Sequence, residues 1–400
     1  MAELPPIFVQ QTRQLFGDER FERYLQAFSE PAPVSIRLNP QKVDGRQWQV
    51  VGAEPVPWCR GGYYLSQRPN FTQDPLLHAG CYYVQEAASM FLDEVLRQQL
   101  PIGHCQFSLD MCAAPGGKST LMRSALPADG VLYSNEPVRQ RAAVLAENVS
   151  KWGYAHHRVT NVYPRDYRAS KLRFDVILCD VPCSGEGMFR KDEATIREWS
   201  PQQVDKCWRL QREIVDDAWQ CLNPGGLLIY STCTYNIKEN EENVRYFLEH
   251  YDCQPVAIDV KPEWHICGSL LPGFDVPVYR FIPGISRGEG LFMAVLRKDG
   301  TPRHFGQPKL PLWAAQTPTL GSPNPHVELT YTQAISYLRG EALQLPADSP
   351  RGLVDVTFMG HVLGPAKNIG SRANNLYPKP WRIKTTHTQA TYSPILIPIT

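Results

Sequence analysis

The chain has 400 residues, room for about two to four domains at roughly 100–200 residues each. Its 43% hydrophobic and 20% charged residues are a globular composition, and the lack of a long apolar run or a basic-then-apolar leader argues against a membrane span and a secretory signal. The formal net charge of +1 says nothing about nucleic acid by itself, and the eleven scattered cysteines, with no CxxC pair, argue against a disulfide framework or zinc site and for a reducing, cytoplasmic setting.

In chain order, residues 1–30 predict helix, with Phe8, Phe16, Phe21, Tyr24, Leu25 and Phe28 spaced loosely at three and four. SIRLNP (35–40) predicts a short strand, and the Pro-, Gly- and aromatic-rich stretch 50–75 predicts irregular chain. Residues 1–75 are therefore expected to form a small N-terminal α+β domain. An amphipathic helix is expected over 82–96, then a buried strand at 105–111 and a helix from Lys118 to Leu126. VLYSNE (131–136) predicts a second strand, with Pro137 in the first turn of a helix that Gly153 ends. Strands are expected at 157–161, 174–180, 227–235 and 290–298, with a helix at 202–222 before the fifth. This alternation predicts an α/β domain, 76–300, built on a mostly parallel sheet covered on both faces. A linker, 301–328, and a small mainly β domain, 329–400, should follow, with strands at 353–358 and 362–370.

Two strand-to-helix or strand-to-loop junctions stand out. DMCAAPGGKST (110–120) follows the first strand of the α/β domain, and ligands bind outside the carboxyl ends of strands in such folds. Gly116 and Gly117 let backbone approach a ligand, and the helix N-terminus offers free N–H groups. Glu136 ends the next strand about twenty residues on, where an acid binds the ribose hydroxyls of an adenosine cofactor; a helix N-terminal acid is the alternative reading. Asn161, at the third strand end, or Asp166 would bond the adenine amino group, although Asp166 also suits loop capping. The second junction is double: DVPCSGEGMF (180–189) and YSTCTYN (230–236) each place a cysteine at a strand end.

Together these segments resemble the RsmB/RsmF-like (Fmu/Sun) family of RNA cytosine-carbon-5 methyltransferases. CAAPGGKS (112–119), Glu136, DVPCSGEG (180–187) and STCTYN (231–236) come in that family's order and spacing, and SIRLNP and YVQEAASM (83–90) match its flanking motifs. The tail GHVLGPAKNIGSRANNLYPKPWRIK (360–384) resembles the RsmF branch, which carries a C-terminal PUA-like RNA-binding domain. The departures are Asn161, where the family often has Asp, and Val181, where it has alanine.

The resemblance implies a Rossmann-like S-adenosylmethionine-dependent methyltransferase domain between a small N-terminal domain and a PUA-like domain, both serving RNA. It implies Cys233 as nucleophile, Cys183 in release of the enzyme, Asp180 against the ring-nitrogen side of the base, and Lys118 holding the loop. Cys112, Ala113, Ala114, Pro115, Gly116, Gly117, Lys118, Glu136, Asn161 and Asp180 would contact S-adenosyl-L-methionine. Carbon 5 of cytosine is too electron-poor to attack a methyl sulfonium unaided; a thiolate added to carbon 6 makes it an enamine. A thiol with a pKa of about 8.5 is only a few per cent ionised at pH 7, so the site must favour the thiolate.

No acidic residue follows Asp355, and Lys367, Arg372, Lys379, Arg382 and Lys384 fall among Tyr377 and Trp381. Cations with interleaved aromatics suit an RNA backbone and stacked bases; a solvated basic face is the alternative. Ribosomal RNA is the expected substrate, with transfer RNA as alternative. A uracil-carbon-5 enzyme and a catalytically silent RNA-binding ribosome-assembly factor are the competing readings. A monomer without metal or membrane contact is expected.

Overall fold

A computed structural model describes residues 3–45, 47–100, 105–301, 323–385 and 391–399. The N-terminal third begins with α1 (Pro6–Phe16), α2 (Asp18–Ala27), β1 (Val34–Leu38), β2 (Trp48–Val50), β3 (Ala53–Pro55), β4 (Gly62–Leu65), α3 (Pro75–His78) and β5 (Tyr82–Val84). Next come α4 (Phe91–Gln99), β6 (Phe107–Asp110), α5 (Gly117–Ala125), β7 (Val131–Asn135), α6 (Arg139–Trp152), β8 (His157–Thr160), α7 (Pro164–Ser170) and β9 (Phe174–Asp180). The chain continues through α8 (Glu193–Glu198), α9 (Pro201–Cys221), β10 (Leu222–Thr232), α10 (Glu241–His250), β11 (Cys253–Pro255), β12 (Val278–Phe281) and β13 (Leu291–Lys298). The C-terminal unit has β14 (His326–Glu328), α11 (Tyr331–Arg339), β15 (Gly352–Phe358), β16 (His361–Asn368), β17 (Ala373–Asn375) and β18 (Leu396–Pro398).

The central sheet runs β11-β13-β10-β9-β6-β7-β8, with β12 beside β13. From β10 to β8 every pairing is parallel, and β13 closes the sheet antiparallel. This is a Rossmann-like sheet with mixed strands. Its strands are apolar on both faces: Val176 and Leu178 of β9 join one core with Leu92, Met122, Leu132 and Ile229, while Ile177 and Cys179 join the other with Val215, Trp219, Leu228 and Tyr230. That double burial is why FDVILCD is a continuous apolar run rather than an alternating one. The connections run outward from β6 in opposite directions, so the switch point lies between β6 and β9, at Asp110 and Asp180.

The structure corrects several boundaries. Tyr82–Val84 is not helix but β5, paired antiparallel to β1 with Leu38 opposite Tyr82 and Ile36 opposite Val84. Two tyrosines and a valine favour a pleated surface, and the α-helix begins only at Phe91. Pro137 lies outside α6, which starts at Arg139; Gly153 does end it, in the left-handed conformation. The strand expected at 227–235 runs from Leu222 to Thr232, so Cys233 stands just beyond it. Of the expected linker, 302–322 lies outside the described residues, and His326–Glu328 already belongs to the C-terminal sheet, parallel to β15.

Residues 1–75 do not share one core. Phe8, Phe16, Phe21 and Tyr24 of α1 and α2 pack on Phe189, Trp199, Tyr235 and Ile282 of the α/β domain. Ile36, Leu38 and Val50 instead share a core with Val327, Ile335, Val356, Leu363 and Leu396 of the C-terminal unit, and β18 pairs with β2. Gly80 (φ +70°) makes the turn from α3 into β5 possible: a Cβ there would sit 1.9 Å from the Lys151 carbonyl oxygen of α6.

Candidate active site

β9 and β10 are parallel neighbours, with Cys179 opposite Tyr230 and Asp180 opposite Ser231. Their following loops therefore leave the sheet side by side, on the carboxyl edge. The Val181 N–H still donates to Ser231 O (3.1 Å), and the Gly187 N–H donates to Cys233 O (2.8 Å). Cys183 and Cys233 meet between the loops: Sγ to Sγ is 3.1 Å, and the Cys233 N–H points to Cys183 Sγ at 3.3 Å. Both are partly exposed, whereas seven of the eleven cysteines are buried.

The hydrogen bond to Cys233, and then burial, push the Cys183 thiol well above its ordinary value. Two thiols this close cannot both carry charge, and the raised value keeps the Cys183 thiol protonated. Lys118, in the first turn of α5, places Nζ 2.9 Å from Asp180 Oδ2. Burial alone would lower the Lys118 value, but Asp180, aided by Cys233 and Asp110, raises it, so the side chain stays a cation beside the cysteine pair. Asp110 ends β6 fully buried; burial pushes its carboxyl up to about 7, against the Ser119 hydroxyl that bonds it.

The loop Cys112–Gly116 joins β6 to α5 and is held from two sides. Ala113 N–H donates to Asn135 O (2.8 Å), while Asn148 and Arg141 of α6 donate to Pro115 O (2.8 Å) and Ala114 O (3.1 Å). Gly116 caps α5 at φ +114°, a conformation open to glycine, and a Cβ there would press on Leu145 Cδ1 at 3.1 Å. Gly117 opens the helix, so its first N–H groups lie beside the loop. Burial pushes the Cys112 thiol well up, which leaves it a neutral wall residue.

Glu136 lies just past β7. Its Oε1 accepts the Val138 N–H (2.9 Å) and its Oε2 lies 3.3 Å from Arg141, so it both braces the turn into α6 and presents a carboxylate beside the glycine loop. Asn161 donates from Nδ2 to Glu136 O (2.6 Å) and Pro137 O (2.8 Å), which fixes that turn and leaves Oδ1 as its acceptor. Asp166 is a capping residue, accepting the Tyr163 N–H at the start of α7. These residues fit an adenosine cofactor. Glu136 is an acceptor of the kind ribose hydroxyls need, the N-terminus of α5 offers N–H groups of the kind a carboxylate needs, and Asp110 Oδ1 is buried with no hydrogen-bond partner.

The C-terminal cations divide. Lys367, Arg372, Lys379 and Lys384 are exposed, but Arg382 is half-buried, its guanidinium against Gly340 at the end of α11 and donating to Tyr377 O (3.5 Å). Tyr377 is only 1% exposed and packs on Tyr337, so it is a core residue and not a base-stacking platform. Trp381 is half-buried, with Lys151 Nζ 5.5 Å from its ring centre. Among the described residues no group of three or more His, Cys, Asp or Glu is arranged to hold a metal ion, and no helix is long and apolar enough to cross a membrane.

Sequence reasoning assigned no role to Glu186, Asn236, Glu239 or Gln211, which form a hydrogen-bonded network beside the cysteines, buried except for the half-buried Asn236. Glu186 and Asn236 lie inside the two cysteine motifs, which was the available signal.

Comparison with known proteins agrees with this arrangement. Residues 98–297 match the family described as 16S rRNA methyltransferase RsmB/F. Residues 4–87 match the N-terminal domain of 16S rRNA methyltransferase RsmF, and 324–383 match the methyltransferase RsmF PUA domain. The ribosomal RNA small subunit methyltransferase F of Erwinia tasmaniensis is 33% identical over 323 residues, which is 76% of this chain and 65% of that protein. Its Escherichia coli counterpart is 33% identical over 318 residues, 74% of this chain and 63% of that protein. The chain thus spans a little under two thirds of the length of these curated relatives. A crystal structure of a methyltransferase homolog from Pyrococcus horikoshii superposes with a TM-score of 0.59 at 26% identity, covering 74% of this chain and 100% of that one. With half of its length matched by the RsmB/F description and both flanks by RsmF-type domains, the chain belongs to the RsmB/F family of 16S rRNA methyltransferases.

Proposed function

We propose that this chain is an S-adenosylmethionine-dependent RNA methyltransferase that forms 5-methylcytosine in ribosomal RNA, in the cytoplasm, with Cys233 as covalent nucleophile. The observation that carries the reading is the 3.1 Å cysteine pair standing beside the Lys118–Asp180 ion pair at the switch point of the sheet. The relatives' names support ribosomal RNA over transfer RNA.

The Cys233 thiolate, favoured by the Lys118 cation and by the S–H of Cys183, adds to carbon 6 of the base. Asp180 bonds the ring-nitrogen side and steadies the charge that moves there. The 112–118 loop and Glu136 would hold S-adenosylmethionine, which would supply the electrophilic methyl group for carbon 5. Once Cys233 is a thioether, its anionic charge is gone and its sulfur accepts a hydrogen bond only weakly. Cys183 then loses its proton to solvent more readily and takes the carbon 5 proton as the bond from carbon 6 to sulfur breaks, returning the thiolate. The exposed Lys367, Arg372, Lys379 and Lys384 supply the sequence-independent grip on phosphate.

Bisulfite mapping of ribosomal and transfer RNA from cells with and without the gene tests the reading. A cytosine in 16S RNA that loses its methyl group with the gene is the expected result. Loss confined to transfer RNA would reassign the substrate, and no loss in either would overturn the activity.

A further inference from the structure

The parallel ladder between β9 and β10 has its last rung at Asp180 and Ser231. Both cysteines lie beyond it, in loops from different strands, so the sheet alone does not set the distance between their sulfurs. Two buried carboxylates do reach across the gap. Glu186, three residues after Cys183, accepts the backbone N–H groups of Tyr235 (2.7 Å) and Asn236 (2.9 Å) at Oε2. Its Oε1 accepts from Trp199 Nε1 and Asn236 Nδ2, both at 3.0 Å. Glu239, on the Cys233 side, reaches back: its Oε2 accepts the Ser184 N–H (3.0 Å) and Gln211 Nε2 (2.7 Å), and its Oε1 accepts Asn236 Nδ2 (2.8 Å). The Asn236 amide therefore bridges the two acids, and Ser184 and Thr234 bond through their hydroxyls at 2.8 Å.

We propose that Glu186 and Glu239, joined by Asn236, are positioning residues that form a reciprocal clamp: each acid, carried by one cysteine loop, captures backbone N–H groups of the other and so holds Cys233 against Cys183. Both acids are almost fully buried, at 2% and 0% exposure, and every hydrogen-bond partner of their carboxylate oxygens is an N–H donor. Charge-assisted bonds of this kind are short and directional, and only an acceptor fits there. A glutamine would turn an NH₂ group toward N–H donors and push the loops apart. Gly187 belongs to the same device: its Cα region lies so close to Gly290 and Cys233 O that a Cβ would meet them at 2.8 and 2.9 Å. The catalytic consequence of the clamp rests on Cys233 being the nucleophile; its geometric content does not.

The test uses the full chain, without RNA, and the thiol oxidant diamide. Oxidation joins the two sulfurs, releasing two protons and two electrons to the azo group, at a rate that reads how often Cys183 and Cys233 meet. Glu186→Gln and Glu239→Gln should slow that disulfide by at least about tenfold, a misplacement of order 1 Å being enough for such losses. Cofactor affinity should stay unchanged, and Cys179, buried in the sheet, should stay protected from alkylation. Where either variant fails to fold, Asn236→Ser, which removes the bridging amide alone, should slow the disulfide in the same direction. An unchanged disulfide rate in the folded variants overturns the clamp. A second measurement, adduct formation on 5-fluorocytosine RNA, should fall in parallel. A slowed disulfide with undiminished adduct would leave the clamp standing and overturn the assignment of Cys233.

Discussion

Lys118 Nζ and Asp180 Oδ2 face one another at 2.9 Å from opposite sides of the switch point, one in the first turn of α5 and the other at the end of β9. The pair ties the cofactor loop to the first cysteine loop. Lys118→Met removes the cation beside Cys233 and leaves Asp180 without its partner. Methyl transfer, measured as kcat/KM, should fall by about 10²–10³-fold, in the range found when one preorganised charge-stabilising group is removed. The side chains are 14% and 30% exposed, so the stability loss should be modest, about 1–2 kcal/mol by denaturant unfolding, well under that of a fully buried pair.

The two cysteines act at different times, and their single substitutions should differ accordingly. Cys233→Ala removes the attacking sulfur, so neither adduct nor methylation should appear. Cys183→Ala permits attack and transfer but removes the late proton acceptor, so a protein–RNA adduct should accumulate on denaturing gels and vanish when Cys233 is also replaced. An adduct in Cys233→Ala would exchange the two roles.

Glu136→Ala should weaken S-adenosylmethionine binding by about 2–4 kcal/mol, the loss of two charge-assisted hydrogen bonds. Calorimetry reads this directly. Glu136 also braces Val138 N–H, so Glu136→Gln, which retains an acceptor for that bond, separates the two roles: it should fold normally and still bind poorly.

Two buried histidines give the fold an acid-sensitive component. Burial lowers His157 to about 3 and His78 to about 4, so each is neutral in the fold, while the unfolded chain takes a proton near the ordinary 6.5. Their contribution is complete above pH 6.5 and is lost as the pH falls toward 4 and 3. Asp110 and Glu289, raised to about 7 by burial, act oppositely: their contribution is complete below about 4 and lost as the pH rises through 7. A difference measurement isolates the histidine. The advantage in Tm of the unmutated protein over His157→Gln should be largest above pH 6.5 and shrink as the pH is lowered; a constant difference would contradict the depressed value.

On the C-terminal unit, replacing Lys367, Arg372 and Lys379 together by Gln should flatten the dependence of log RNA affinity on log salt by about 2–3 if each touches a phosphate. Tyr377→Ala should act otherwise, lowering Tm through the loss of a buried ring, with RNA affinity of the folded fraction intact.

Much of the site is legible because it lies in contiguous motifs at strand ends. β9 reads directly from its apolar run, and the loops after β6, β9 and β10 fall where a parallel sheet must present them. What escapes is non-local. Glu186 sits in plain view within PCSGEG, but its backbone partners come from the loop after β10, and no local pattern encodes that pairing. Tyr82–Val84 satisfies both helical and strand periodicity over so few residues, and only β1 decides between them. α11 carries a local signature of its own: Thr330 and Gln333 form a capping box and Gly340 ends the helix in the left-handed conformation. The pairing of Leu396–Pro398 with Trp48–Val50 has no signature in either three-residue segment.

That last pairing bears on how the chain is made. Residues 48–50 emerge from the ribosome long before 396–398, so β2 waits as an open edge beside apolar side chains until about 350 further residues have been synthesised. An uncovered edge of this kind templates association with other chains. Cutting away the C-terminal unit would make that interval permanent, baring Ile36, Leu38 and Val50, which share its core. Such a truncation should therefore yield a chaperone-dependent, aggregation-prone product, and the role of the basic face in RNA binding is better read from point substitutions in the intact protein.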